Sequence, residues 1–313
     1  VTTPVLELQP RRLVLAAAEL ELLRRLAGDL RLPADFSVGR QVDPPPAQPA
    51  PADPASPPGR SGPASPASPA GPGGGVGGIG VESAALAAAA RSLADQGVLQ
   101  SDPDSPLGGR PHPSVAANLQ VFASAEVLLE TRVQVDTQVV RAAHAVAGGL
   151  GASLARIGDT ATVELSVFPA ERLGLELVRV VPATGAASRA NQRPAGLVPL
   201  DAVAQVGLAD EIGGDAVVRE LASELRLTAA EQELARALSA QATGVLHCLV
   251  SAPPRRPGEP GRVGQVLWYG TPGGWVGLDP EPTVDGRRAV RLRAAAPIDL
   301  GAWVAPLVAG ALR

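Results

Sequence analysis

Val163-Glu164-Leu165-Ser166-Val167-Phe168 runs into Pro169, and Leu173-Gly174 follows. Further on, Val290-Arg291-Leu292-Arg293 with Ala294 to Ala296 runs into Pro297, and Leu300-Gly301 follows. Each stretch reads as an amphipathic strand that stops at a proline and gives way to a short apolar helix. A module repeated in one chain predicts two pseudo-equivalent halves, and with them a shared sheet or a paired platform. Neither copy carries a cluster of His, Cys, Asp or Glu. Architecture, not chemistry, has to carry the reading.

Outward from the first copy, Val127, Leu129, Thr131, Val133 and Val135 alternate with Glu130, Arg132, Gln134 and Asp136. That is the period of a half-buried antiparallel strand. Further strands are predicted near 139–146, 152–157 and 160–168, with Gly148 to Gly151 and Gly158-Asp159 as hairpin turns. Upstream, Val5 to Leu8 reads as a short strand. Pro10 then opens a helix with Leu13, Ala17, Leu20 and Leu23 at helical spacing. Helices are also expected from Glu82 to about Gln96, closed by Gly97, and from Ser114.

The second half repeats this order. Helices are predicted at 200–206 and 215–225, and Thr228-Ala229-Ala230-Glu231 is a capping box that opens a third. Strands follow near 245–250, 264–269, 274–278 and 289–293. The closing helix places Leu300, Trp303, Val304 and Leu307 on one side, and Pro306 should kink or split it. Residues 42–80 collapse to Pro, Ala, Ser and Gly, the composition of a disordered insertion. Its Gly75, Gly77 and Gly80 spell G-x-G-x-x-G, but no strand precedes them, so the dinucleotide reading fails. The expected fold is α+β, with two pseudo-symmetric halves, each a mainly antiparallel sheet with flanking helices. They span 1–41 with 81–185, and 186–313, and 42–80 is the insertion.

Composition narrows the function. The chain has 313 residues, enough for a sizeable core. Hydrophobic residues make up 45% and aromatics only 2%, so the core is built from Ala, Leu and Val. Every basic residue is Arg and Met is absent, the imprint of a GC-rich genome. A formal net charge of -4 argues against a nucleic-acid footprint. One cysteine, Cys248, excludes an intrachain disulfide and a multi-cysteine zinc site. No signal-peptide pattern or spanning segment is evident, and a bacterial cytoplasmic protein is expected.

Candidate chemistry fails position by position. His247 and Cys248 are neighbours on a strand, so their side chains face opposite sides and form no dyad. Cys248 reads as a buried structural thiol. His144 reads as a core or sheet-edge histidine, and His112 lies in a loop between prolines. Asp102 and Asp104 lack the rest of a calcium loop. Trp268, Tyr269 and Trp275 read as the core of one hairpin. No catalytic residue, metal site or cofactor is expected.

Three further segments carry a resemblance: Leu93-Ala94-Asp95-Gln96-Gly97-Val98-Leu99, then Pro113-Ser114-Val115-Ala116, then Ala125-Glu126-Val127-Leu128-Leu129-Glu130-Thr131-Arg132. With Arg156-Ile157-Gly158-Asp159, Thr162-Val163-Glu164-Leu165 and Gly273-Gly274-Trp275-Val276, this order resembles the EspG family of type VII (ESX) secretion-associated proteins of actinobacteria. The resemblance implies a non-enzymatic cytosolic chaperone. Such a protein binds helical secreted substrates, PE–PPE-like or WXG-like, masks their apolar tip and keeps them soluble for export. It also implies a cargo-contacting loop between the second and third strands, here Gly148 to Gly151, together with the helices between Asp215 and Ala242. The cargo-binding candidates are therefore Gly149, Leu150, Gly151, Leu234 and Leu238. The alternative is a small-molecule-binding or regulatory α+β protein with a pocket between the halves.

Overall fold

The structure is a computed structural model that describes residues 12–28, 30, 32, 33, 36, 77–105, 109–158, 160–184, 193–254, 256, 259–282 and 286–313. The first half contains β1 (Arg12–Ala16), α1 (Ala17–Leu26), α2 (Gly77–Asp95), a small ribbon of β2 (Leu99–Ser101) and β3 (Gly109–Pro111), and α3 (Pro113–Ala123). It continues with β4 (Val127–Val135), β5 (Gln138–Ala147), β6 (Leu150–Ile157), β7 (Thr162–Pro169) and α4 (Leu173–Arg179). The second half contains β8 (Gly196–Pro199), α5 (Leu200–Glu224), α6 (Ala229–Gln241) and β9 (Gly244–Ala252). After it come β10 (Arg262–Thr271), β11 (Gly274–Glu281), β12 (Ala289–Ala295) and α7 (Leu300–Leu312).

One ten-stranded sheet holds both halves, in the order β1-β7-β6-β5-β4-β9-β10-β11-β12-β8. Every pairing in it is antiparallel. The halves join where β4 meets β9, from Leu128 opposite Ser251 to Val135 opposite Gly244. Read outward from that seam, each half is a four-strand meander closed by its own first strand. The repeated proline modules end β7 and β12 and lead through a turn of 3-10 helix into α4 and α7. The α+β class with two pseudo-symmetric halves holds, and the halves share a single sheet.

Several local expectations change. The helix expected from Pro10 starts only at Ala17, because Arg12–Ala16 pairs with β7 and buries Leu15 opposite Val163. The Glu19 carboxylate accepts a hydrogen bond from the Ala16 N–H at 2.7 Å and fixes that start. Val5 to Leu8 lie outside the described residues. β8, which the sequence did not reveal, is a short edge strand on β12. α2 begins at Gly77, inside the span assigned to the insertion, so Gly77 and Gly80 are helical; residues 42–76 lie outside the described residues. α5 is broken only at Gly214, whose φ of 58° with ψ of -152° is open to glycine and strained for other residues. Pro306 neither splits nor ends α7: it and Ala302, one turn before it, are both exposed.

Helices cover the two faces differently. On one face α4 and α7 pack across the central strands, over Val127, Leu129, Val133, Leu246, Cys248, Val250 and Trp268. Trp303 of α7 stands edge-on to Trp268, with ring centroids 5.7 Å apart. On the other face α1 to α3 cover the first half through Leu20, Leu23, Leu93, Leu119, Leu154 and Leu165. There α5 and α6 cover the second half through Val206, Val218, Leu238, Val276 and Leu292. Between these two layers the sheet is open: Arg132 and Gln134 of β4, His247 of β9 and Gln265 of β10 are exposed.

Candidate functional site

Among the exposed large apolar side chains of the described residues, Leu208, Ile212 and Val217 lie on α5. Ala204, Leu208 and Ile212 recur every fourth residue and therefore share one face. Leu208 is 57% exposed and Ile212 is 74% exposed. Past the break at Gly214, Val217 is 39% exposed and packs its side chain on Gly213. A pocket of about 210 Å³ opens next to the stripe, lined by Val203, Ala204, Leu208, Leu238, Ala242 and Tyr269.

The end of the sheet beside this pocket is fixed by backbone hydrogen bonds. Asp136 N–H donates to the Thr243 carbonyl at 3.0 Å, and Thr243 N–H donates to the Gly270 carbonyl at 2.8 Å. The β4–β5 turn, Asp136-Thr137, therefore lies against the C-terminal end of α6. Asp136 adopts a φ of 50°, which an aspartate tolerates in a tight turn. With β1 counted as the first strand of the half's sheet, β4 and β5 are the second and third. In that count the turn between the second and third strands is Asp136-Thr137, at the opposite end of β5 from Gly148 to Gly151.

The residues singled out from sequence separate into two groups. Gly148 and Gly149 form the β5–β6 turn with φ of 55° and 81°, and Leu150, 48% exposed, starts β6. Leu150 does not fold back into the core. Gly151 does not offer backbone to a partner: it is buried, and a Cβ there would run into the Phe168 ring. Leu238 is only 2% exposed and belongs to the core under α6, reaching the surface only in the lining of the pocket beside Leu208. Leu234 is half-buried and packs over Gly196, where a Cβ would come within 2.9 Å of its Cδ2. Helical spacing identified these leucines as one face, and that face is the inner one.

No catalytic arrangement forms around the other candidates. Cys248 is fully buried, its Sγ accepts from Thr131 Oγ1 at 3.4 Å, and burial pushes its thiol pKa up to about 11. His247 points to the opposite face. His112 caps α3, its Nδ1 accepting from the Ser114 N–H at 3.3 Å. His144 is buried in the first half, and burial, reinforced by the Arg179 charge, lowers its pKa to about 4. Among the described residues no three His, Cys, Asp or Glu side chains gather in a metal-binding group. Nor is any helix of the described residues long and apolar enough to cross a membrane. A groove of about 520 Å³ lies within the second half, over Leu267, Leu278 and Val290, and another of about 410 Å³ lies between the halves, lined by Leu173 and Leu177 of α4 and by Val304, Val308 and Leu312 of α7.

Comparison with known proteins follows the same lines. A family model described as the EspG family matches residues 75–305. No curated protein matches the chain significantly. Among solved structures, the chain is similar to the Mycobacterium tuberculosis type VII secretion system chaperone EspG5, solved in complex with the PE25-PPE41 dimer. The TM-score is 0.52 at 12% identity, over 93% of this chain and 94% of that one. At that identity the likeness is one of fold.

Proposed function

This chain belongs to the EspG family, and on that premise we propose that it is a type VII secretion chaperone whose α5 surface holds a helical, PE–PPE-like secreted pair. The observation that carries the reading is the exposed stripe of Ala204, Leu208 and Ile212 with Val217 beside it. Exposed apolar side chains grouped on one element mark an interaction surface, whereas scattered ones do not. The adjoining pocket supplies a recess for one protruding apolar side chain of the cargo. The Asp136-Thr137 turn stands at the same end of the sheet and would flank the bound tip.

Chaperoning of this kind needs no reaction. Covering an apolar tip removes it from water, and each large aliphatic side chain buried contributes about 1.5–3 kcal/mol. Leu208 and Ile212 together then contribute about 3–6 kcal/mol, one part of the free energy that holding the cargo requires. The chaperone would act in the cytoplasm, before export.

Co-expression with a cognate PE–PPE-like pair tests the proposal. Ile212→Arg and Leu208→Arg should each keep the melting temperature of the parent protein and lose co-purification, because the new charge would be desolvated against an apolar tip. Retained co-purification in both variants would place the cargo elsewhere.

A further inference from the structure

We infer that the pocket between α5 and α6 is a specificity pocket for one tyrosine of the bound partner, an aromatic ring with a hydroxyl at its tip. The inference rests on the cargo reading above and adds to it what the α5 surface selects. The pocket walls are apolar, with Ala204 and Leu208 from α5 and Leu238 and Ala242 from α6. Only Ser239 of α6 and Tyr269 of β10 bring polar side chains to the lining.

Size limits the occupant. The volume of about 210 Å³ falls below the roughly 300–1,000 Å³ of pockets that enclose a drug-sized ligand. It is the space of about seven waters, enough for one large side chain. A close approach of the two helices shapes it. A Cβ on Gly207 would collide with the Ser239 Oγ, so the glycine lets α6 bring that hydroxyl up against α5.

The two hydroxyls are uncommitted. Neither the Tyr269 phenol nor the Ser239 hydroxyl makes a side-chain hydrogen bond among the described residues. A helical serine often returns its hydroxyl to the carbonyl four residues back, and a buried tyrosine usually finds a partner. Here neither does. Tyr269 is half-buried, and burial pushes its pKa up, so the phenol keeps its proton at neutral pH. A side chain that enters the pocket strips water from both groups. An aliphatic one leaves them unpaired, and an unpaired buried polar group costs more than a made bond returns. A tryptophan N–H can only donate, whereas a phenol tip donates to one hydroxyl and accepts from the other. Sites built to pair a hydroxyl reject the analogue that lacks it.

The probe is p-cresol, with toluene as its hydroxyl-free counterpart, each titrated against the protein and followed by ligand-observed NMR. p-Cresol should bind about fivefold more tightly than toluene, or better. Tyr269→Phe and Ser239→Ala should each erase most of that preference at the parental melting temperature, since neither hydroxyl serves the fold. Against a co-expressed PE–PPE-like pair, Tyr269→Phe should weaken binding by about fivefold or more. Absent p-cresol binding, equal binding of the two probes, or an unchanged preference in Tyr269→Phe would each overturn the inference. A melting temperature several degrees lower in Tyr269→Phe would assign the hydroxyl to the fold and overturn it too. If Ile212→Arg loses the pair while Tyr269→Phe binds it as the parent does, the cargo reading stands and this one fails. Cargo retained in both Leu208→Arg and Ile212→Arg would instead remove the premise, and this inference with it.

Discussion

Gly174 and Gly301 lie against each other where α4 crosses α7: a Cβ built on Gly301 would stand 3.0 Å from the Gly174 Cα. Each is the second residue of the helix that follows a repeated proline module. The two halves of the chain therefore touch through corresponding residues, and the lack of side chains lets the helices approach backbone to backbone.

The contact is asymmetric, which makes it testable. A Cβ on Gly174 would meet the Gly301 Cα at 3.7 Å, an ordinary contact distance. Gly301→Ala should lose about 1–3 kcal/mol, since the neighbouring atom is backbone and yields only if a helix shifts. Gly174→Ala should change stability by less than about 0.5 kcal/mol. Urea unfolding of both variants measures the difference, and equal losses would count against the described helix crossing.

His144 sets an acid limit on stability. Its folded-state pKa of about 4 lies below the value of about 6.5 expected in the unfolded chain. Between those values the unfolded chain takes up a proton that the folded protein refuses, so stability falls as pH drops. It should fall by about 3 kcal/mol across that window and be unaffected by this group above it. Glu21, whose pKa is lowered first by its hydrogen bond from Arg24, adds a loss at lower pH as its carboxylate protonates. In His144→Leu the slope between about pH 6.5 and 4 should flatten in urea titrations; an unchanged slope would mean other groups carry it.

Cys248 should be inert in the folded protein. It is fully buried, and its thiol pKa of about 11 leaves almost no thiolate at neutral pH. A thiol reagent should label it only as fast as the chain unfolds, and Cys248→Ser should leave cargo binding intact. Rapid stoichiometric labelling of the native protein would contradict the described burial.

Leu238 and Leu150 should behave in opposite ways. Leu238→Ala empties a core position and should cost about 2–4 kcal/mol, with any loss of cargo following the loss of fold. Leu150→Arg, at the far end of β5 from the α5 stripe, should leave both the melting temperature and co-purification unchanged. Loss of cargo at parental stability in Leu150→Arg would move the binding surface to the β5–β6 turn.

Replacing residues 43–76 with a short Gly-Ser linker should leave the melting temperature within a few degrees of the parent, because their Pro/Ala/Ser/Gly composition offers little apolar surface to bury and changing loop length costs little entropy. Extending the deletion through Gly80 removes the first turn of α2 and should lower it.

What the sequence determined by itself was the alternation and the punctuation. Period-two patterning located β4 to β7 and β9 to β12, the capping box opened α6 at Thr228, and the proline modules announced the duplication. These are local preferences, and they survive any tertiary context that offers the matching face. The opposite faces of His247 and Cys248 follow from the same local geometry. The tertiary structure decided what local preference leaves open. Leu13, Ala17, Leu20 and Leu23 fit a helical period, yet pairing with β7 makes a strand of Arg12–Ala16, and that strand shifts the loop count by one. Leu208, Ile212, Leu234 and Leu238 are all apolar residues at helical spacing, and only packing on the sheet shows that the first two face solvent and the last two do not.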